Sequence, residues 1–447
     1  MVHLLELIFF ILILKAILRC LYFWQLKEYR WDRFRQFLKT AQARQYFLPT
    51  RYFLRPRLTL KIIFLIYLVF YFTISILRLP NLIIVPFAAY LTIPFSTSLA
   101  VLLLSPITSL IKDLIILLAK LKIRTMPSSL KVIGITGSYA KTSVKEILAH
   151  LLTTKYQVCK TQGTDNTLIG VAKTILKNLH KSHQIFIVEM GAYKSGEIKQ
   201  ICRLVKPSIG IFTGITQQHL SLFGSLEKII AAKYELIQAL PKTGLAVFNG
   251  QDPQVLKLAR QTKHLKKLIY NKPKKNYNTN LIGQYQQMNL QAAITVAQSL
   301  KIPQKTIKSK LTTIPNFKTA ITIKPGLNQA TIINDTYNAN PQGFQAAINL
   351  VKQKNFKQKI LITSGIIELG QESQAIHQNI YQQAQPVFDL IYITKPEIKP
   401  VFKKAVYQPD FKKLLHDLKP KLNSTTLVLL ASRLPQKFIK NLCVNPS

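Results

Sequence analysis

Lys131-Val132-Ile133-Gly134-Ile135-Thr136-Gly137-Ser138-Tyr139-Ala140-Lys141-Thr142-Ser143-Val144 is the stretch whose reading decides the fold. Val132, Ile133 and Ile135 form an apolar β-branched run that enters a turn of small residues, and helical spacing follows over Val144–Leu152. The pattern predicts a strand, a loop and a helix N-terminus, where backbone N–H groups and the positive end of the helix face an anion. A lysine and a hydroxyl at the helix start make that anion the phosphate tail of ATP. Lys141 reaches the β- and γ-phosphates, and Thr142 holds Mg²⁺. The nucleotide-facing set is Gly134, Thr136, Gly137, Ser138, Ala140, Lys141, Thr142 and Ser143. The general pattern has glycine where Ile135 and Ala140 stand, and Ala140 fits the loop only with a negative φ. The plain alternative is an ordinary strand-to-helix turn with a solvated lysine.

The 447 residues carry 61 Lys and Arg against 18 Asp and Glu, a net charge of +43. The bases spread along the whole chain, which points to an anionic partner: nucleic acid, lipid headgroups or small anionic substrates. Neither zinc-finger spacing nor an RNP-type aromatic motif accompanies the charge, so no nucleic-acid partner is expected. The four cysteines, Cys20, Cys159, Cys202 and Cys443, form no zinc knuckle or CxxC motif and suit a reducing cytosol.

Residues 1–122 read as a membrane module. Leu7–Leu14 is wholly apolar, and apolar character continues to Trp24 around Lys15 and Arg19. Ile62–Leu77 is a second apolar run, and Leu79–Ile111 carries no charge, long enough to span a bilayer. Pro80, Pro86, Pro94 and Pro106 interrupt that last run, which leaves a re-entrant hairpin open as an alternative. Ile107–Leu121 reads as an amphipathic helix lying on the membrane surface. Lys27–Lys61 is crowded with arginines and has only Glu28 and Asp32 as acids, which places it on the cytoplasmic side facing anionic lipid. The second and third runs then cross outward and back, so everything after residue 122 meets cytoplasmic ATP.

From Lys131 the rhythm is alternating strand and helix. Val132–Gly137, Gln184–Met190, Ile209–Ile215, Leu245–Asn249 and Lys267–Tyr270 are strand candidates of a doubly wound α/β sheet. Thr331–Asn334, Lys359–Thr363, Asp389–Thr394 and Thr426–Leu430 form a second set, beyond a hinge at Pro315-Asn316. The expected domains are 1–122, 123–314 and 315–447.

Three residues outside the loop have chemistry in their type and place. Glu189 ends an apolar strand, where a carboxylate suits Mg²⁺ or a salt bridge. His219 follows the next strand, and Lys233 sits within a helical pattern.

Taken together the segments stop being anonymous. Thr136-Gly137-Ser138-x-x-Lys141-Thr142, Val188-Glu189-Met190-Gly191-Ala192, His219-Leu220-x-x-Phe223-Gly224-Ser225, Ala232-Lys233-x-Glu235-Leu236, Val247-Phe248-Asn249-x-x-Asp252 and Tyr337-Asn338-Ala339-Asn340-Pro341 follow in that order. The order resembles the Mur ligase family, most of all its D-alanyl-D-alanine-adding branch, over residues 131–433. Glu368-Leu369-Gly370 with His377 looks like the same branch. The resemblance implies a P-loop central domain, a Rossmann-like C-terminal domain and an ATP-dependent amide ligase. A substrate carboxylate takes the γ-phosphoryl group to form an acyl phosphate, and an amine then displaces phosphate. It further implies Lys141, His219 and Lys233 as catalytic residues, and Thr142, Glu189 and His219 as Mg²⁺ ligands. Lys233 matches the lysine that the family carbamylates. Asn249, Asp252, Asn289, Lys318 and Asp335 would flank ATP, and Asn166, Thr167, Tyr337, Asn338 and Asn340 the substrates. The implied partners are a nucleotide- or lipid-linked muramoyl peptide, a D-amino-acid dipeptide and other wall-synthesis membrane proteins.

The chain departs from the family at Ala140, at Tyr285-Gln286 in place of a His-Asn pair, at Asn316-Phe317-Lys318 in place of an arginine, and at Asn334 in place of an aspartate. At the front, the membrane module stands where the soluble members carry a uridine-diphosphate-binding domain. A polyglutamate- or cyanophycin-type ligase and a non-catalytic nucleotide-binding scaffold remain as alternatives, because one ATP site serves many chemistries.

Overall fold

The computed structural model describes residues 2–39, 43–49, 53–77, 85–163, 165–216, 220–315, 317, 320–337, 340–366, 369 and 372–444. The chain divides into two compact units, residues 1–115 and 116–447.

The first unit is helical: Val2–Leu26, Trp31–Leu38, Arg44–Phe47, Leu60–Leu77, Val85–Leu103 and the start of Ser105–Arg124. One face of the first helix is buried at Ile13, Ala16, Ile17, Cys20, Leu21 and Trp24, the three-and-four spacing of an amphipathic stripe. It packs with Ile62, Leu65 and Val69 and with Ile93, Ala100 and Val101. Trp24 stacks on Phe34 with ring centres 3.8 Å apart, and its Nε1 donates to Tyr46 Oη at 3.3 Å. Tyr46 Oη in turn donates to the Pro94 carbonyl at 2.6 Å. Pro94 lies inside a continuous helix, so the break expected there does not occur. Proline costs such a helix one backbone hydrogen bond, and the Pro94 carbonyl itself accepts from Tyr46 Oη and Ser98 Oγ. Pro80 lies outside the described residues, and Pro106 sits in the first turn of its helix, where proline is tolerated. Among the described residues two helices, Leu7–Leu26 and Tyr90–Arg124, are long and apolar enough by length and composition to cross a membrane.

The second unit holds two sheets. The first is built from β1 (Lys131–Thr136), β2 (Val158–Lys160), β3 (Ile185–Glu189), β4 (Ile209–Phe212), β5 (Leu245–Asn249) and β6 (Lys266–Tyr270) in the order β2-β3-β1-β4-β5-β6, all parallel. The chain passes from β1 to the edge strand β2, returns to β3 and then crosses to β4 on the other flank of β1, so the crevice at the carboxyl end of β1 is the topological switch point where such sheets take ligands. Register puts Ile135 beside Glu189 and Thr136 beside Phe212, which brings the ends of β3 and β4 level with the loop after β1. Every residue of β3 is buried, as a parallel strand covered on both faces requires.

The second sheet comprises β7 (Thr322–Pro325), β8 (Thr331–Asp335), β9 (Gln358–Thr363), β10 (Leu390–Ile393), β11 (Val406–Tyr407) and β12 (Thr426–Ala431) in the order β11-β10-β9-β12-β8-β7. Only β7 is antiparallel, paired to β8. The strands that the apolar pattern leaves out, β2, β7 and β11, are four residues or shorter and lie at sheet edges, where few side chains are buried.

Both tryptophans of the chain lie in the first unit, so tryptophan emission follows that unit's unfolding alone. Tyr46→Phe should cost about 1 kcal/mol by removing one buried donor, and Trp24→Ala about 3–5 kcal/mol. Denaturant melts in detergent read both; equal midpoints for the two variants would contradict this packing.

Candidate functional site

The loop after β1 is shaped by one glycine and one alanine. Gly137 has φ +148°, and a Cβ there would meet Thr213 Oγ1 at 2.0 Å, so only glycine lets the loop lie against the end of β4. Ala140 has φ +65° and ψ −12°, the left-handed region, where a negative φ was expected. The glycine position of the P-loop is thus kept in backbone shape but filled with a residue that resists it, at a cost of about 1 kcal/mol.

The loop is held from the β4 side. Ser138 N donates to Gly214 O at 2.7 Å and Thr213 Oγ1 donates to Thr136 O at 3.1 Å. The Tyr139 ring lies so close over Gly214 that a Cβ there would sit 2.1 Å from it. Tyr139 Oη donates to Asp252 Oδ2 at 3.2 Å, and the same oxygen accepts from Ile215 N at 2.8 Å. Asp252 Oδ1 caps the helix Pro253–Gln261, while Asn249 Nδ2 donates to Thr213 O at 2.8 Å. Asn249 and Asp252 therefore brace the loop following β4. Tyr139, Thr213 and Thr161 are the braces that the sequence pattern did not single out; Thr161 Oγ1 accepts from Glu189 N.

Two lysines converge on this loop. Lys141 Nζ donates to the Gly137 carbonyl at 2.7 Å, and Lys233 Nζ donates to the same oxygen at 3.2 Å. Lys233 belongs to the helix Leu226–Gln238, on the inward stripe with Ile229, Ala232, Leu236 and Ile237, so the helix that packs on β1 carries its lysine into the core. Burial, and then the neighbouring Lys141 charge, holds the Lys233 ammonium well below the usual lysine range. Burial also lowers Lys141, and Glu189 partly offsets that. Two cations crowded on one carbonyl make a place that attracts an anion of several charges.

Glu189 is 1% exposed; its Oε1 accepts from Asn166 Nδ2 at 3.1 Å and its Oε2 from Lys145 Nζ at 3.2 Å. The Thr142 hydroxyl and the Glu189 carboxylate are hard oxygen donors, the type that Mg²⁺ takes together with its waters. Among the described residues no group of three carboxylates, histidines or cysteines gathers to hold a metal. The donors present therefore suit an ion that arrives with phosphate oxygens. Lys145 was missed because a lysine in so basic a chain draws no notice. Its signal was its position, on the buried face of the helix Lys141–Leu152 between Val144 and Ile147.

Other expected residues take other places. Gly134 lies within β1 beneath Leu236 of the helix Leu226–Gln238, and the Thr136 hydroxyl donates to Met190 O at the end of β3. Ser143 is buried in the first helical turn. Thr167 caps the helix Leu168–Asn178 and Asn340 the helix Pro341–Lys352. Asn289 donates to Gln286 Oε1 at 2.9 Å in the helix Gln284–Ser299. Asp335 ends β8, buried, and its charge adds to the burial that pushes the Tyr285 phenol upward. The Tyr285-Gln286 pair is thus where the first sheet's helix meets the second sheet. Tyr337 is exposed beyond it. His377 Nε2 accepts from Ile366 N at 2.9 Å and its Nδ1 bonds Ser373 O at 2.7 Å, which fixes a neutral ring. His219, Lys318 and Asn338 lie outside the described residues, as do Asn316, Glu368 and Gly370.

Ala140→Gly should stabilise the protein by about 1 kcal/mol or less, since relief of the left-handed strain exceeds the added freedom of the unfolded chain. A denaturant melt that moves the other way would show the loop backbone to be relaxed with alanine.

Residues 135–278 match the Mur ligase middle domain, and residues 321–434 the Mur ligase glutamate ligase domain. The chain is 32% identical over 337 residues to the UDP-N-acetylmuramoyl-tripeptide–D-alanyl-D-alanine ligase of Buchnera aphidicola subsp. Baizongia pistaciae, covering 68% of this chain and 72% of that protein. It is 29% identical over 269 residues to the ligase of the same name from Bacillus subtilis, covering 56% of this chain and 59% of that one. Among solved structures, the MurF ligase from Thermotoga maritima in complex with ADP is similar with a TM-score of 0.63 at 26% identity, over 72% of this chain and 80% of that chain. Matched in both of its sheets and in its relatives, the chain belongs to the Mur ligase family of ATP-dependent C–N ligases.

Proposed function

We propose that this chain uses ATP to join D-alanyl-D-alanine, or a closely similar amine, to the terminal carboxylate of a muramoyl peptide at the cytoplasmic face of a membrane. The observation that carries the reading is the convergence of Lys141 and Lys233 on the Gly137 carbonyl at the switch point of the sheet. Residues 123–314 serve as the ATP-binding part and residues 315–447 as the part that brings the amine. Lys141 stabilises the γ-phosphoryl group as it passes to the acceptor carboxylate, giving an acyl phosphate and ADP. The amine nitrogen then attacks the acyl carbon, phosphate leaves, and the amine gives up a proton. Thr142 and Glu189 would hold Mg²⁺, which would supply neutralising charge for the phosphates. Asn166 keeps Glu189 in place beside the acceptor loop, while Asp335, Tyr337 and Asn340 approach from the second sheet.

Residues 1–122 serve as the membrane anchor. Support comes from the two long apolar helices and from the large side chains on their outer surfaces, among them Leu7, Phe10, Leu99 and Leu114. In the basic segment the two acids are taken by arginines, Glu28 by Arg33 and Asp32 by Arg30, each at 2.7 Å, which leaves the segment's charge strongly positive toward anionic lipid.

Incubating the full chain in detergent with ATP, a muramoyl tripeptide and D-alanyl-D-alanine should give a product whose mass equals the two substrates less water. Lys141→Ala should lower the rate by two or more orders of magnitude, on the order of 3 kcal/mol or more of lost phosphoryl stabilisation. Turnover with glutamate in place of the dipeptide would favour the polyglutamate-type alternative, and no ATP turnover would favour the scaffold.

Lys233 is proposed to be carbamylated. Its lowered basicity leaves more of the amine unprotonated at neutral pH, and the neutral amine is the form that adds CO₂, turning a cation into an anion beside the metal. Raising the pH should therefore strengthen stimulation by bicarbonate, and acidification should abolish it. Lys233→Ala should be slow and partly rescued by short carboxylates; full activity without rescue would refute the assignment.

A further inference from the structure

Lys145 stands one helical turn beyond Lys141 and has no place in the reaction described above. Its side chain is wholly buried, at 0% exposure. Burying an ammonium is costly unless it is both paired and hydrogen-bonded. Here three oxygens answer it: Glu189 Oε2 at 3.2 Å, the Gly163 carbonyl at 2.6 Å and Glu146 Oε1 at 3.6 Å. The other oxygen of Glu146 is taken by Lys160. The other oxygen of Glu189 accepts from Asn166, whose own backbone carbonyl accepts from Gly191 N at 2.8 Å. Lys145 thus ties together the helix after the phosphate loop, the carboxylate at the end of β3, the Gly163 backbone and, through Glu189, Asn166. The carboxylate best placed to meet a metal is already closed by a cation of the same chain.

We propose that Lys145 is a resident counter-cation that an arriving divalent ion displaces from Glu189, so that it sets the metal affinity of the site and couples metal binding to the segment 161–166. The inference rests on the reading of Glu189 as a metal ligand. A divalent ion and an ammonium cannot both hold one buried carboxylate at full strength, because their mutual repulsion in a poorly hydrated pocket is large. Displaced from Glu189, Lys145 keeps Glu146 and the Gly163 carbonyl as partners, so its charge stays satisfied while its pull on the segment shifts. Metal binding is in this way weakened in the empty protein and favoured when the nucleotide supplies further ligands. Lys145 is a positioning residue: it acts through Glu189 and touches no reacting atom.

The test uses the full chain in detergent, Mn²⁺ as the metal probe followed by electron paramagnetic resonance, and ADP present or absent. Lys145→Met should bind Mn²⁺ at least tenfold more tightly than the unmodified chain, and Mn²⁺ should raise its melting temperature by a larger increment. Lys145→Arg, which keeps the charge, should stay near the unmodified chain. Unchanged or weaker Mn²⁺ binding in Lys145→Met would overturn the proposal while leaving the Glu189 reading standing. If Lys145→Met does not fold, hydrogen exchange in the unmodified chain decides: Mn²⁺ with ADP should change exchange at residues 161–167, and an unchanged pattern overturns the coupling. Absence of Mn²⁺ binding to the unmodified chain, with or without ADP, overturns both the proposal and the reading of Glu189 on which it rests.

Discussion

The carbonyl oxygen of Gly137 accepts hydrogen bonds from two lysine ammoniums, and the rest of the site follows from that crowding. Two positive charges within one loop repel each other, and burial removes the water that would screen them. The arrangement is stable because a backbone dipole and the nearby Glu189 partly answer it, and burial lowers the basicity of both lysines, most of all that of Lys233. A polyanion such as the tail of ATP completes the balance.

The loop can carry this load because it is braced on both sides. On the β4 side, Thr213, Gly214 and Asp252 hold Ser138 and Tyr139, and the Tyr139 ring rests where only a glycine leaves room. On the β3 side, Lys145 and Asn166 hold Glu189. The left-handed Ala140 is tolerated between these braces, since a strained residue persists where its surroundings over-determine it. The first unit shows the same economy with neutral groups. Trp24, Tyr46, Ser98 and Pro94 form a chain of hydrogen bonds inside an apolar bundle.

Much of this was legible from sequence pattern. Nine strands of the two sheets, the phosphate loop and the apolar front announce themselves through local periodicity, and Lys233 only through its place in the motif order, its burial coming from the packing of its helix. Tyr139 gave no such notice, because its role depends on Gly214 and Asp252, respectively 75 and 113 residues away. Lys145 gave only a faint one, as a lysine on an inward helical face whose partner lies on another strand.

What the sequence alone determined is therefore the set of elements and the chemistry they carry, since strand and helix periods, the glycine–lysine–threonine loop and the motif order are properties of neighbouring residues. Tertiary structure decided which groups that chemistry must share. Parallel pairing of β3, β1 and β4 sets Glu189 beside Ile135 and Phe212 beside Thr136, at the base of the loop, and the packing of the helix Leu226–Gln238 brings Lys233 to the Gly137 carbonyl that Lys141 also holds. Only there, with water excluded, do their charges compete for the same oxygens, because electrostatic coupling depends on distance and dielectric and not on separation along the chain.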